Sequence, residues 1–161
     1  MTVPNARTAP GSGPASARRF SRQMNYSDLT ARQCQLLLES RNVGRIGWNA
    51  GSGPQILPVS YACVDDLLVF RTSPYGLLSE LVRPSPVVLE VDDLDLARHS
   101  GWSVIVHGRA RAVASPAALT HLWTIDGVEP WAGGVRSVFI GITPERITGR
   151  SFGRVNLPPQ W

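Results

Sequence analysis

The chain has 161 residues, a length that suits one domain and is tight for two. At 43% hydrophobic and 17% charged it carries enough apolar material for one core, and 15 Gly with 13 Pro argue against a bundle of long helices. No apolar run approaches the roughly 18 residues of a membrane span, and no secretory h-region opens the sequence, so a membrane protein is not expected.

All 16 basic residues are Arg. Four of them (Arg7, Arg18, Arg19, Arg22) precede the first acid, Asp28, which leaves twelve Arg to balance twelve acids. The net charge of +4 therefore belongs to the N-terminal stretch. That excess says little about a nucleic-acid surface, which would need a basic face on the folded body, and nucleic acid is not an expected partner. Without Lys there is no Schiff-base chemistry. Cys34 and Cys63 are too few for a disulfide framework or a four-ligand zinc site, which fits a reducing cytoplasm.

Residues 1–24 are rich in Pro, Gly, Ser, Ala and Arg and read as a disordered tail, with residues 25–161 as one domain. Order is expected from Ser27. Thr30-x-x-Gln33 has the form of a capping box, opening a helix to Ser40 with Leu29, Leu36 and Leu37 on one face. Strands follow at Val43 to Trp48, Ile56 to Cys63 and Leu67 to Thr72, with turns at Gly51–Pro54 and Asp65-Asp66. Pro58 inside the second strand implies an edge or a bulge. Tyr75 to Val82 reads as a short helix closed by Pro84. Val87 to Val91 and Trp102 to Ala114 read as strands. Ser115-Pro116 opens a helix to about Ile125. Val138 to Ile142 and Arg146 to Gly153 read as two further strands. The whole predicts a mainly β protein, an antiparallel sheet closed into a small barrel with short flanking helices.

No G-x-G-x-x-G, Walker loop or G-x-S-x-G is present. His99 with Asp95 falls in a predicted loop and His107 in mid-strand, so no metal site is expected. With so few acid–base residues, any redox or transfer chemistry has to come from a bound cofactor. The strand ending Phe70-Arg71-Thr72-Ser73 turns through Pro74-Tyr75-Gly76 into a helix start. That gathers a guanidinium, hydroxyls and amides as a phosphate would require, and an ordinary strand-to-helix turn is the other account. Gly101-Trp102-Ser103 and Pro130-Trp131-Ala132 place two tryptophans beside small residues, where they would cover a planar ligand or simply fill a core.

The order of Val43-Gly44-Arg45-Ile46, Leu57-Pro58-Val59-Ser60-Tyr61, Phe70-Arg71-Thr72, Leu89-Glu90-Val91-Asp92, Gly101-Trp102-Ser103-Val104, Pro130-Trp131-Ala132 and Ile147-Thr148-Gly149-Arg150 resembles the pyridoxamine 5'-phosphate oxidase-like flavin-binding proteins. The similarity spans residues 27–152 and leans toward the small actinobacterial branch related to nitroimidazole-resistance reductases. It implies a split β-barrel of Greek-key type, a homodimer, and FMN between the subunits. It further implies an oxidoreductase acting on a small organic molecule, with a nicotinamide compound as electron donor. Carried over by position, Pro58, Val59, Ser60 and Tyr61 would follow the isoalloxazine, and Phe70, Arg71 and Thr72 would reach the phosphate. Trp102, Ser103 and Trp131 would approach from the partner. The family usually has a Lys where Leu77 stands here, a charge-assisted contact of about 1.5–3 kcal/mol. Two alternatives stay open: an 8-hydroxy-5-deazaflavin cofactor, which also carries a ribityl phosphate, and a non-catalytic dimeric binding or stress protein, which the Leu77 departure supports.

Overall fold

Thr30 and Gln33 start the first helix as their spacing predicts. In the computed structural model, which describes residues 26–126, 128 and 133–158, the Thr30 Oγ1 accepts the Gln33 N–H at 3.2 Å. The Gln33 Oε1 in turn accepts the Thr30 N–H at 3.1 Å. Helix α1 (Ala31–Glu39) buries Cys34, Leu37 and Leu38, an i, i+3, i+4 set. The expected face is thus rotated, with Leu36 only half-buried. Thr30→Ala is expected to cost about 1 kcal/mol, read as a lower urea midpoint with an unchanged slope.

Strands β2 (Val43–Ala50), β3 (Gly53–Val64) and β4 (Leu67–Thr72) form an antiparallel meander. Its second turn, Asp65-Asp66, holds Asp65 at φ 52°, a left-handed position that Asp tolerates better than most residues. A 3₁₀ helix (Leu77–Val82) then crosses one end of the barrel and buries Leu78 and Leu81. The crossing delivers β5 (Ser85–Asp95) to the far side of β2, the Greek-key return. Strand β6 (Ser100–Ala112) pairs with β5. After α2 (Pro116–Leu122), β7 (Val138–Phe152) pairs with both β6 and β4 and closes the barrel. Strand β1 (Tyr26–Asp28) hangs on β7. The antiparallel barrel expected from the turns is the fold.

One expectation is corrected. The two last strands are a single strand, kinked where Glu145 is extra: Arg146 faces His107, yet Pro144 faces Gly108. A Cβ at Gly108 would lie 2.3 Å from the Thr143 carbonyl oxygen, so glycine lets the backbones approach at the kink. The region 1–24, read as a disordered tail, lies outside the described residues.

The barrel interior is filled by Ile46, Tyr61, Phe70, Leu89, Val104, Val106 and Ile140, among others. Each such side chain stabilises the fold by about 1.5–3 kcal/mol on burial. A second cluster sits outside the barrel wall, where Leu122 of α2 packs on Val64, Val69 and Phe139. This outer layer decides how the end of β4 is furnished.

Candidate functional site

Strands β3 and β4 stay paired only between Tyr61–Val64 and Leu67–Phe70; beyond Tyr61 they part. The Tyr61 N–H is donated to the Asn42 carbonyl on the β2 side, at 2.8 Å. Alternation along the strand then turns the backbone groups of Ile56, Pro58 and Ser60 the opposite way, toward the side β4 has vacated. Pro58 is accommodated for that reason: its missing N–H falls on a stretch that has no strand partner there among the described residues. The β2–β3 register runs through it without a shift, so this is a local edge and not a bulge. The Ile56 and Ser60 amides are the donors that this edge offers.

On the other lip stands Arg71. Its Nε donates to the Arg136 carbonyl at 3.0 Å, and its Cζ lies 4.3 Å from the Trp123 ring centroid and 5.5 Å from that of Phe139. Extending the Tyr61–Phe70 register by one residue sets Ser60 opposite Arg71 across the opening. Ser73 follows, half-buried; its Oγ accepts the Tyr75 N–H at 3.2 Å, which leaves the hydroxyl proton to donate elsewhere. The helix beyond the turn is a six-residue 3₁₀ turn with no side-chain cap and Glu80 in its first turn. It therefore adds no helix-dipole site of the kind read from the sequence. Leu77 is 44% exposed there and supplies no charge. Nearby Arg45 is engaged by Glu90 at 2.9 Å and Asp92 at 3.0 Å, which raise its already high pKa.

The sequence-derived candidates divide by strand face. Pro58 is exposed, and Ser60 and Arg71 are half-buried; all three border the opening. Val59, Tyr61, Phe70 and Thr72 point into the barrel and are buried. The Tyr61 hydroxyl donates to the Leu38 carbonyl at 2.7 Å, and burial pushes its pKa up. The Thr72 hydroxyl meets the Ser73 carbonyl at 3.5 Å. Trp102 is also in the barrel core, with Arg41 over its ring at 5.7 Å. Ser103 faces outward on β6, on the opposite side of the barrel, in a groove with Ile105, His107, Arg146, Thr148 and Arg150. Trp131 lies outside the described residues. The residues that sequence reasoning missed are Trp123, Phe139 and Arg136, which bed Arg71. They come from the C-terminal cap of α2, from the start of β7 and from the segment between them, and no local spacing links them to β4.

A further groove of about 560 Å³ runs between α1 and the β3–β4 turn, lined by Leu38, Glu39, Cys63, Asp66, Leu67 and Ile147 among others. Burial pushes the Cys63 thiol up to about 11, with Glu39 adding to the shift, so it is not an activated nucleophile. Iodoacetamide labelling of Cys63 is expected to be slow at neutral pH and to climb until about pH 11, checked by mass spectrometry across a pH series. Among the described residues no cluster of His, Cys, Asp and Glu could hold a metal ion.

Residues 30–151 match the family described as pyridoxamine 5'-phosphate oxidase. An uncharacterized protein of Mycobacterium tuberculosis is 32% identical over 149 residues, covering 88% of this chain and 93% of that one. The structure of an FAD-binding protein from Mycobacterium smegmatis is 30% identical with a TM-score of 0.66, over 79% of this chain and 98% of its own. An FAD-binding protein from Mesorhizobium loti shares the fold at 23% identity, with a TM-score of 0.63 over 78% of this chain and 97% of its own. The family match covers most of the chain, and the first of these relatives is 32% identical over nearly all of it: the chain belongs to the pyridoxamine 5'-phosphate oxidase family.

Proposed function

We propose that this chain is an oxidoreductase that holds a flavin by its ribityl phosphate at the outer mouth of the β3–β4 split. The observation that carries the reading is the unpaired edge of β3 lying beside Arg71 at the end of β4. The residues fit the group. Arg71 has its Nε occupied by the Arg136 carbonyl, which turns the guanidinium and leaves its two terminal nitrogens for a phosphate. The Ser73 hydroxyl proton and the Ser60 amide add neutral donors. The edge amides and carbonyls from Ile56 to Ser60 match the rim of a flat heterocycle, while the side chains of Pro58 and Ile56 offer apolar contact.

A bound flavin supplies hydride or electron transfer between a nicotinamide donor and a small organic acceptor. The chain itself orients the ring, excludes water from one side and polarises it through backbone donors. The Tyr61 hydroxyl, buried in the barrel, is donated to the Leu38 carbonyl and takes no part as an acid. FMN is the smallest flavin that satisfies this grip; 8-hydroxy-5-deazaflavin shares the ribityl phosphate.

The site is proposed to be completed by a second copy of the chain. Tyr75 is 95% exposed and Ile56 64%, and with Leu77 they leave apolar surface uncovered around the mouth. From the partner, Ser103 is able to face the ring, whereas Trp102 is held in its own barrel. Free Cys34 and Cys63 suit a cytoplasmic setting, and among the described residues no helix is long and apolar enough to cross a membrane.

The absorbance spectrum of the freshly purified protein, followed by titration with FMN, FAD and 8-hydroxy-5-deazaflavin, tests the reading. Bound flavin, or saturable quenching of its fluorescence, is the expected result. A colourless protein that ignores all three in large excess overturns it. That outcome favours instead a non-catalytic dimer, to which the apolar Leu77 beside the mouth already points.

A further inference from the structure

The kink at Glu145 changes which side chains of β7 face out. Before it, Ile140 and Ile142 fill the barrel and Phe139 packs in the outer layer with Leu122 of α2. After it the parity is reversed: Gly149 and Ser151 are buried, and Arg146, Thr148 and Arg150 stand exposed. Each then lies across from an outward residue of β6, Arg146 from His107, Thr148 from Ile105 and Arg150 from Ser103. Cross-strand partners of this kind have Cβ atoms about 5 Å apart, so the six side chains line one surface. Asp28 and Leu29 wall its β1 side, and the result is a groove of about 690 Å³.

We propose that this groove binds a small apolar monocarboxylate, with Arg146 as the carboxylate anchor. Charge is the first support. Of the acids and arginines that line the groove, Asp28 meets Arg150 at 3.5 Å, and Arg146 has no ion pair among the described residues. On the next strand, Glu90 and Asp92 are committed to Arg45 at 2.9 and 3.0 Å. The rung that carries Arg146 continues into His107 and Val88 and holds no acid. Outside the lining, exposed Arg109 and Glu145 contribute one charge of each sign. One uncompensated positive charge matches one carboxylate, which a guanidinium takes bidentately. A phosphate monoester, with nearly two negative charges at neutral pH, would leave one unmatched.

Shape is the second support. Beside Arg146, the His107 imidazole and the Thr148 hydroxyl have no hydrogen-bond partner among the described residues, and each adds a donor. The middle of the groove is apolar: Ile105 and Ile147 are exposed there and Leu29 is half-buried. A charged end and an apolar floor suit an aromatic or branched aliphatic acid better than a dicarboxylate or a sugar. Ser103 stands at the other end, four residues or about 14 Å along β6 from His107. In the dimeric arrangement proposed above Ser103 faces the ring, so the acid bound here is the small organic molecule acted on. That role, unlike the site itself, rests on the flavin reading.

The probes are benzoate, benzyl alcohol and phenyl phosphate, titrated into the purified protein with and without FMN while NMR follows the imidazole signals of its three histidines. His107→Gln assigns the relevant signal. Benzoate is expected to shift that signal saturably and to bind more tightly than either of the other two. Arg146→Gln should weaken benzoate by about one to two decades, the loss of a charge-assisted contact, with the melting temperature unchanged because the side chain is exposed. Arg109→Gln should leave benzoate binding largely as it was. A benzoate response that survives Arg146→Gln, or that Arg109→Gln lowers equally, overturns the site, since a diffuse basic surface would then be the cause. Tighter binding of phenyl phosphate overturns the monocarboxylate assignment. Flavin binding without benzoate binding removes the site and leaves the flavin reading standing, whereas benzoate binding without flavin keeps the site and removes its catalytic role.

Discussion

Arg71→Gln is expected to weaken flavin binding by about one to two decades while leaving the melting temperature within a few degrees of the wild type. The asymmetry follows from what the guanidinium touches. Toward the protein it makes one hydrogen bond to a carbonyl and lies over Trp123, an arrangement at a half-exposed site worth about 0.5–1 kcal/mol. Toward a phosphate it would supply a charge-assisted contact of about 1.5–3 kcal/mol, which is the stated loss in affinity. Leu77→Lys is the complementary change. At 44% exposure Leu77 has room for a longer side chain, and an added ammonium is expected to tighten binding by up to about tenfold at low salt, less as salt rises. Titration of the three proteins at two ionic strengths checks both. An Arg71→Gln protein with wild-type affinity would move the phosphate away from the end of β4.

Why part of this site was legible in the sequence, and part was not, follows from strand geometry. Arg71 could be read because a cation closing an apolar strand before a Ser-Pro-x-Gly turn is a local pattern. The same pattern names Phe70 and Thr72 with it. Three consecutive strand residues cannot all face one ligand, though, and here Phe70 and Thr72 fill the barrel while Arg71 looks out. From Pro58 to Tyr61 the case is the same: Pro58 and Ser60 border the opening, and Val59 and Tyr61 are core. Trp123 was out of reach because only the packing of α2 on the outer wall brings it to β4.

The elements divide in the same way. Helix α1 carried its capping box in plain view, and β2 to β6 showed apolar alternation bounded by turn residues. Strand β7 looked like two strands because Pro144 and the extra Glu145 interrupt its alternation, and only the partner strand shows that pairing resumes in a shifted register. Strand β1 has three exposed residues and no pattern of its own; its place is fixed by the β7 backbone it pairs with.

Phe70→Ala is expected to destabilise the protein by about 3–5 kcal/mol, at the upper end of what truncating one core side chain costs. Phe70 has no exposed surface, faces Tyr61 on one side and Ile140 on the other, and occupies the last rung before β3 and β4 part. The barrel cannot collapse around a void there, because both neighbours are fixed by strand pairing, so the cavity persists. Against a total stability of about 5–15 kcal/mol the change is severe, and it should appear as low soluble yield and a much lower urea midpoint. Phe70→Leu retains most of the volume and should cost about 1.5 kcal/mol or less. The Leu variant also separates the two roles offered for this residue. If Phe70 is core, folded Phe70→Leu binds flavin like the wild type while melting earlier. If instead the side chain touched the cofactor, affinity would fall with little change in stability, and the inward placement of β4's even-numbered residues would be wrong. Arg71→Gln predicts the reverse pairing of effects one residue away, so the two variants together test whether the wall of the barrel divides structure from function at this point.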